Sequence, residues 1–252
     1  MTPTRREVLS ALTFSSAAIL LPTRTHAMNA PPRSQDKPQA GEAGLAPAYQ
    51  GQHALVPLPF DPKELKGLSE KLIVSHHENN YGGAVRNLNK VEGALAATSK
   101  DSPPFLVSGL KERELMFSNS VVLHELYFAN LGGDGKTAGE IAKALGDTYG
   151  TLGRWEEEFR ATGGALGGGS GWVILDFDLR AKSLRTHWSG NHTQASAFAI
   201  PLLVMDIYEH AYQMDYGAAA AKYIDAFFQN IQWEEVERRF ARAVKAWHAM
   251  QG

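Results

Sequence analysis

The sequence predicts an α+β fold: an N-terminal antiparallel helical hairpin followed by an α/β domain with a small three-stranded antiparallel sheet. Three observations carry that expectation. Apolar residues recur at three- and four-residue steps through two long stretches before Gly132, a glycine-rich segment then opens short β-type runs after residue 163, and helical periodicity returns towards the C-terminus.

The first helical stretch runs from Asp61 to Ala97, opened by Asp61-Pro62, with Leu65, Leu68, Leu72, Ile73, His76 and Asn80 in step, and stopped by the Ser99 to Pro104 cluster. The second runs from Phe105 to Leu131 and ends at Gly132-Gly133-Asp134-Gly135. Thr137 to Tyr149 and Leu152 to Thr162 read as shorter helices. Gly163 to Gly171 lacks the Lys-Ser/Thr of a phosphate loop and leads into a strand, so it is turn chemistry. Trp172 to Asp178 and Ser183 to Trp188 form a β-hairpin, Ile200 to Asp206 a third strand, and Ala218 to Asn230 and Trp233 to Met250 the closing helices. By this reading residues 53–132 are the hairpin domain and residues 133–252 a C-terminal α/β metal-binding domain.

Composition narrows the chemistry. The chain has 252 residues, 44% of them hydrophobic, with 25 Lys plus Arg against 27 Asp plus Glu, so nothing points to nucleic acid or an acidic membrane as partner. It has no Cys, which removes disulfides, thiolate nucleophiles and iron–sulfur clusters, so any metal must be held by His, carboxylate, Tyr or water.

Residues 1–27 read as a twin-arginine export signal: Thr4-Arg5-Arg6-Glu7-Val8-Leu9, a moderately apolar run to Leu21, and the small-residue site Thr25-His26-Ala27. The run is too short and too polar for a stable membrane span. Residues 28–52, rich in Pro, Ala, Gly and polar residues, read as a disordered tether. The expected location is exported, periplasmic or extracellular. Removing residues 1–27 takes away three Arg and one Glu, and the mature chain carries a net charge of -4.

Most of the nine His read as ordinary residues: His26 in the signal, His53 by the tether, His187 and His248. Others stand out. His76 lies on the inward helix face with His77 one position round. His124 sits among Val121, Val122, Leu123, Leu126 and Phe128, where an unpartnered imidazole would be costly to bury. Asp206 and His210 follow an apolar strand. If His76, His124, Asp206 and His210 converge, they form a mononuclear site of three imidazoles and one carboxylate, suited to iron, manganese or zinc.

The string Asp206-Ile207-Tyr208-Glu209-His210-Ala211-Tyr212 resembles the D-x-W-E-H-A-Y signature of the iron/manganese superoxide dismutases. Leu58-Pro59-Phe60, His76-His77 with Asn87-Leu88-Asn89, His124 to Phe128, Gly169-Ser170-Gly171-Trp172 and Gln232-Trp233 through Arg239-Phe240 resemble further family segments in the same order. The resemblance implies that His76, His124, Asp206 and His210 bind one Fe or Mn per chain and that superoxide anion is converted to O₂ and H₂O₂. It makes His192, in Ser189-Gly190-Asn191-His192, the outer-sphere catalytic residue, and puts Trp172, Phe128 and Tyr208 around the pocket. It also implies a homodimer, with Glu209 and Tyr212 at the interface.

The chain departs from the family pattern at the mouth of the site. Asn80 and Ala84 stand where the family has a His and a gateway Tyr, Asn79 where a Lys is common, and Ala218-Ala219-Ala220 where N-x-R is usual. Tyr81 is no simple replacement, since five residues of α-helix turn about 500° and leave it about 140° from His76. Two further readings therefore stand beside the dismutase: an exported metal-binding protein of this fold with little or no dismutase activity, and a mononuclear-metal hydrolase or oxygenase.

Overall fold

A computed structural model describes residues 45–251. The expected signal and most of the expected tether lie outside those residues. The last part of the tether segment is ordered: after a 3₁₀ turn at Pro47–Tyr49, Gly51 N donates to Glu92 Oε2 (2.9 Å) and His53 N to Asn89 Oδ1 (2.9 Å).

The first helix begins at Glu70 rather than Asp61. Asp61 Oδ1 accepts from Lys63 N (3.0 Å) and caps only the 3₁₀ turn Pro62–Glu64, Gly67 then adopts φ +73°, and Ser69 Oγ caps the helix proper by accepting from Leu72 N (3.1 Å). Helix α1 (Glu70–Ser75) passes into a π turn (His76–Tyr81) and then α2 (Gly82–Ala96), and α3 (Pro104–Ala129) packs along α2 to complete the hairpin. Helices α4 (Gly139–Tyr149) and α5 (Leu152–Leu166) lead to strands β1 (Trp172–Asp178), β2 (Ser183–Ser189) and β3 (Ala199–Asp206). A 3₁₀ turn (Glu209–Ala211), the short α6 (Gln213–Tyr216), α7 (Ala220–Gln229) and α8 (Trp233–Ala249) follow.

The sheet is antiparallel in the order β2-β1-β3. Central β1 is buried on both faces from Trp172 to Phe177, which explains why its sequence is apolar at every position but Asp176 rather than alternating. Pro201 is tolerated because β3 is an edge strand, and the register shifts between Leu175 and Asp176, so that Leu202 bulges. The outer edge of β3 is closed by buried side chains. Asn130 Oδ1 accepts from Val204 N (3.0 Å) and from Arg239 Nη1 (3.2 Å), and Arg239 Nη1 also donates to Leu202 O (3.1 Å).

The boundary expected at residue 132 is a seam inside one compact unit, not a gap between two. Gly133 N donates to Asn230 O (3.0 Å), Gly135 N donates to Ile231 O (3.2 Å), and a Cβ on Gly133 would sit 2.2 Å from Ile231 O. Only glycine allows that approach. Metal-type side chains come from both sides of the seam, so metal binding does not belong to residues 133–252 alone.

Candidate metal centre

Four elements deliver the predicted donors. His76 opens the π turn, His124 lies near the C-terminal end of α3, Asp206 ends β3, and His210 sits in the 3₁₀ turn just beyond. Asp206 Oδ1 accepts from Tyr208 N (2.8 Å), an Asx-type turn that bends the chain back so that His210 meets the same carboxylate. From behind, the Tyr223 hydroxyl donates to Asp206 O (2.6 Å) and fixes the end of the strand.

Three imidazole Nε2 atoms converge on Asp206 Oδ2: His76 at 3.1 Å, His210 at 3.1 Å and His124 at 3.6 Å. One donor atom from each of the four residues lies within 4.8 Å of the others. His76 and His124 are each 1% exposed and Asp206 is 0% exposed, while the His210 side chain, at 26%, marks the open side.

The donor set fits a cation. His124 Nδ1 donates to Ser120 O (2.7 Å), which leaves a lone pair on Nε2. That buried Nε2 has no hydrogen-bond partner and faces a carboxylate oxygen. Two lone pairs opposed in a dry site are unfavourable unless a positive charge lies between them. Burial lowers the pKa of His124 to about 3, and burial, outweighing the Asp206 contacts, lowers that of His76. Burial alone would raise the pKa of Asp206, but the charge of His210 and hydrogen bonds from His210 and His76 outweigh it and hold the carboxyl well below the usual range. Burial would lower the pKa of His210, but the charge and hydrogen bond of Asp206 outweigh it and raise it. Neutral His76 and His124 beside an ionised carboxylate are the protonation states a metal requires, and metal binding would displace the His210 proton.

Trp172, His192, Tyr208 and Phe128 pack around the donors. Trp172 is fully buried, edge-on to His124 with ring centroids 5.0 Å apart, and its Nε1 donates to His192 Nδ1 (3.0 Å). With Nδ1 accepting, the proton of neutral His192 sits on Nε2. Burial lowers the pKa of His192, favouring that neutral form. The His192 ring stacks on Tyr208 at 4.8 Å, Tyr208 stacks on His210 at 5.3 Å, and Phe128 packs 5.1 Å from His76. A cleft of about 270 Å³ reaches His124, His192 and His210 past Asn79, Asn80 and Ala84, and among the described residues no Lys or Arg lines it.

Two expectations need correction. Tyr81 is not turned away from the ligands: its ring stacks on His124 at 6.1 Å. The reason is the π turn, in which Gly82 N bonds to His77 O five residues back, so that the sixth residue returns over the first. Tyr81 still offers no gate, because its hydroxyl is behind the site, donating to Glu125 Oε1 (2.8 Å) and accepting from Val56 N (3.0 Å). Tyr212, expected with Glu209 at a dimer face, is a core residue, 1% exposed, its ring stacked on Tyr223 and its hydroxyl accepting from Gly168 N (3.1 Å). Glu209 is exposed. His77 stands outside the cluster, with Nε2 donating to Val56 O (2.8 Å).

His187 departs from the ordinary role its sequence context suggests. It is no ordinary surface residue, since its two ring nitrogens hold Asp176 and a loop carbonyl. Only the alternation that puts residues 185 and 187 on one strand face, paired with 176 and 174 so that Asp176 lies diagonally across from His187, hinted at this.

Comparison with known proteins agrees with this geometry. Residues 137–239 match the family profile described as iron/manganese superoxide dismutases, C-terminal domain. The chain is 48% identical over 194 residues to the Fe superoxide dismutase of Cupriavidus metallidurans, covering 77% of this chain and 98% of that protein. It is 36% identical over 210 residues to the Fe enzyme of Aquifex pyrophilus (79% and 97% covered) and 31% identical over 199 residues to Mn superoxide dismutase 2 of Haloferax volcanii (77% and 98% covered). With its donors converged as the motifs require and nearly the whole length of such relatives matched, the chain belongs to the iron/manganese superoxide dismutase family.

Proposed function

We propose that the chain is a superoxide dismutase that holds one Fe or Mn through His76, His124, Asp206 and His210. The observation that carries this is the convergence of three Nε2 atoms on Asp206 Oδ2, one of them a buried nitrogen without a partner. When bound, the metal supplies the one-electron steps by which two superoxide anions and two protons become O₂ and H₂O₂. The chain's residues do the rest. The cleft admits a small anion from the His210 side, the buried rings of Trp172, Tyr127 and Phe128 exclude water behind the donors, and His192 holds a proton at Nε2 beside the cleft. Ala84 has no group to share that task, so His192 is the proton-holding side chain among the residues expected there.

Purified protein should contain about one Fe or Mn per chain and dismutate superoxide, and His124→Ala should lose the metal while the chain still folds. Stoichiometric zinc, or full Fe or Mn occupancy in the variant, refutes the assignment. The cleft without Lys, Arg or a gateway hydroxyl favours the second reading, a metal-binding protein with little turnover, and an assay of metal-analysed protein separates the two.

The finer features rest on the sequence. Arg5 and Arg6 before an apolar run support an exported, periplasmic or extracellular protein, and Arg5→Lys with Arg6→Lys should then hold it in the cytoplasm. Exposed Glu209, next in the chain to His210, supports a homodimer in which the carboxylate of one copy reaches a ligand histidine of the other. Glu209→Ala should shift the mass measured by light scattering from dimer to monomer.

A further inference from the structure

His192 is carried by the loop between β2 and β3, and that loop is fastened to β2 by side chains of Arg185, His187 and Ser189, the last donating from Oγ to Asn191 O (2.6 Å). Arg185 Nη2 donates to Ser196 Oγ (2.8 Å), and His187 Nε2 lies 2.8 Å from Gln194 O. On its other side His187 Nδ1 lies 3.0 Å from Oδ2 of Asp176, a carboxylate on β1 that is 2% exposed. A backbone carbonyl and a carboxylate both accept and neither donates. An imidazole can satisfy both at once only if both nitrogens carry protons.

We propose that His187 is a positioning residue for the dismutase site: as an imidazolium paired with buried Asp176 it clamps the Gln194 carbonyl and so holds the loop that presents His192. This rests on the reading of His192 given above. The clamp extends through the loop, where Gln194 Oε1 accepts from Gly190 N (2.6 Å) and Asn191 Oδ1 from Thr193 N (2.8 Å), while Asn119 Nδ2 donates to His192 O (2.7 Å). His187, Asp176 and His192 line a common cavity of about 170 Å³, to which α3 contributes the uncharged Asn119, Val122 and Leu123. The charged or titratable groups facing His187 are therefore Asp176 from β1, Arg185 from its own strand and His192 across the cavity.

The hydrogen bond that His187 donates to Asp176, opposed by partial burial, raises the pKa of His187 above its ordinary value. A raised native pKa means that the clamp is complete below about pH 6.5 and is lost as pH rises through the native value. Above that, neutral His187 keeps one proton and must release either Asp176 or Gln194 O.

The test uses the purified, metal-analysed protein. Amide exchange of Gly190 and Thr193, corrected for the intrinsic pH dependence of exchange, is followed from pH 6 to 10 beside the dismutase rate. In the wild type, protection should fall by roughly 5-fold or more as His187 deprotonates, and the rate should fall by roughly 10-fold over the same interval. His187→Gln should show low protection and a low rate at pH 6, with no further step. Asp176→Asn, which keeps the ring but removes its counter-charge, should move the step to lower pH. Protection in the wild type that is flat with pH, or His187→Gln retaining the wild-type profile, overturns the clamp. A wild type with the exchange step but no dismutase activity leaves the clamp standing and refutes the dismutase reading instead.

Discussion

Replacing Trp172 by Phe tests how the site holds its proton donor. The indole Nε1 to His192 Nδ1 bond of 3.0 Å is lost, and with it the contact that keeps the His192 proton on Nε2. One such bond contributes about 1 kcal/mol, and trimming a fully buried indole to a phenyl ring adds about 1–2 kcal/mol for the space left behind. Together, about 2–3 kcal/mol corresponds to a fall in Tm of roughly 5–10 °C for a chain of this size. The dismutase rate should fall by about 10-fold with metal content unchanged, since a hydrogen-bond partner is lost and no ligand is touched. His192→Ala should cost about the same factor. Because both changes act through one ring, the double variant should be slower than wild type by about 10-fold, not about 100-fold, a coupling of about 1.4 kcal/mol. The measurements are stopped-flow superoxide decay, elemental analysis and a thermal melt on all four proteins. A double variant slowed by the product of the two factors would show that Trp172 does not act through His192.

Two further outcomes follow from the mouth and the seam. Ala84→Tyr puts a ring into the cleft of about 270 Å³, so azide binding, followed by absorbance of the metal-loaded protein, should slow measurably while dismutase activity changes by less than about 3-fold; unchanged azide kinetics would mean that anions enter elsewhere. Asn130→Ala strips Val204 N and buried Arg239 of an acceptor, which should cost about 2–4 kcal/mol in urea unfolding, and a loss under about 0.5 kcal/mol would show that water replaces the amide.

The sequence was most legible where one rule acted alone. Trp172–Asp178 and Ser183–Ser189 stand within a residue of their expected limits because turn chemistry bounds them on each side. The four donors were legible because imidazole or carboxylate amid apolar residues needs a partner, and the family resemblance said which belong together. The first helix began late because Asp61-Pro62 is as good a cap for one 3₁₀ turn as for a helix, and the break at Gly67 depends on a backbone angle that composition does not state. Tyr81 was misplaced because constant α-helical rotation was assumed across a π turn. His187 was missed for a different reason: one of its partners is a main-chain carbonyl, which every residue has.

The π turn at His76–Tyr81 has a consequence for chain length. Such a turn is what a helix makes when it houses one residue more than its two ends need. Deleting a single residue between 77 and 80 would let α1 and α2 join as an unbroken α-helix, with Leu72 and Ile73 on one side of the join and Val85 and Leu88 on the other still facing inward. Tyr81 would then stand four residues after His76, about 400° round an α-helix, and its ring would stay beside His124. What would go is the bulge itself, whose Asn79 and Asn80 line the cleft, so the surplus residue shapes the mouth of the site rather than the scaffold.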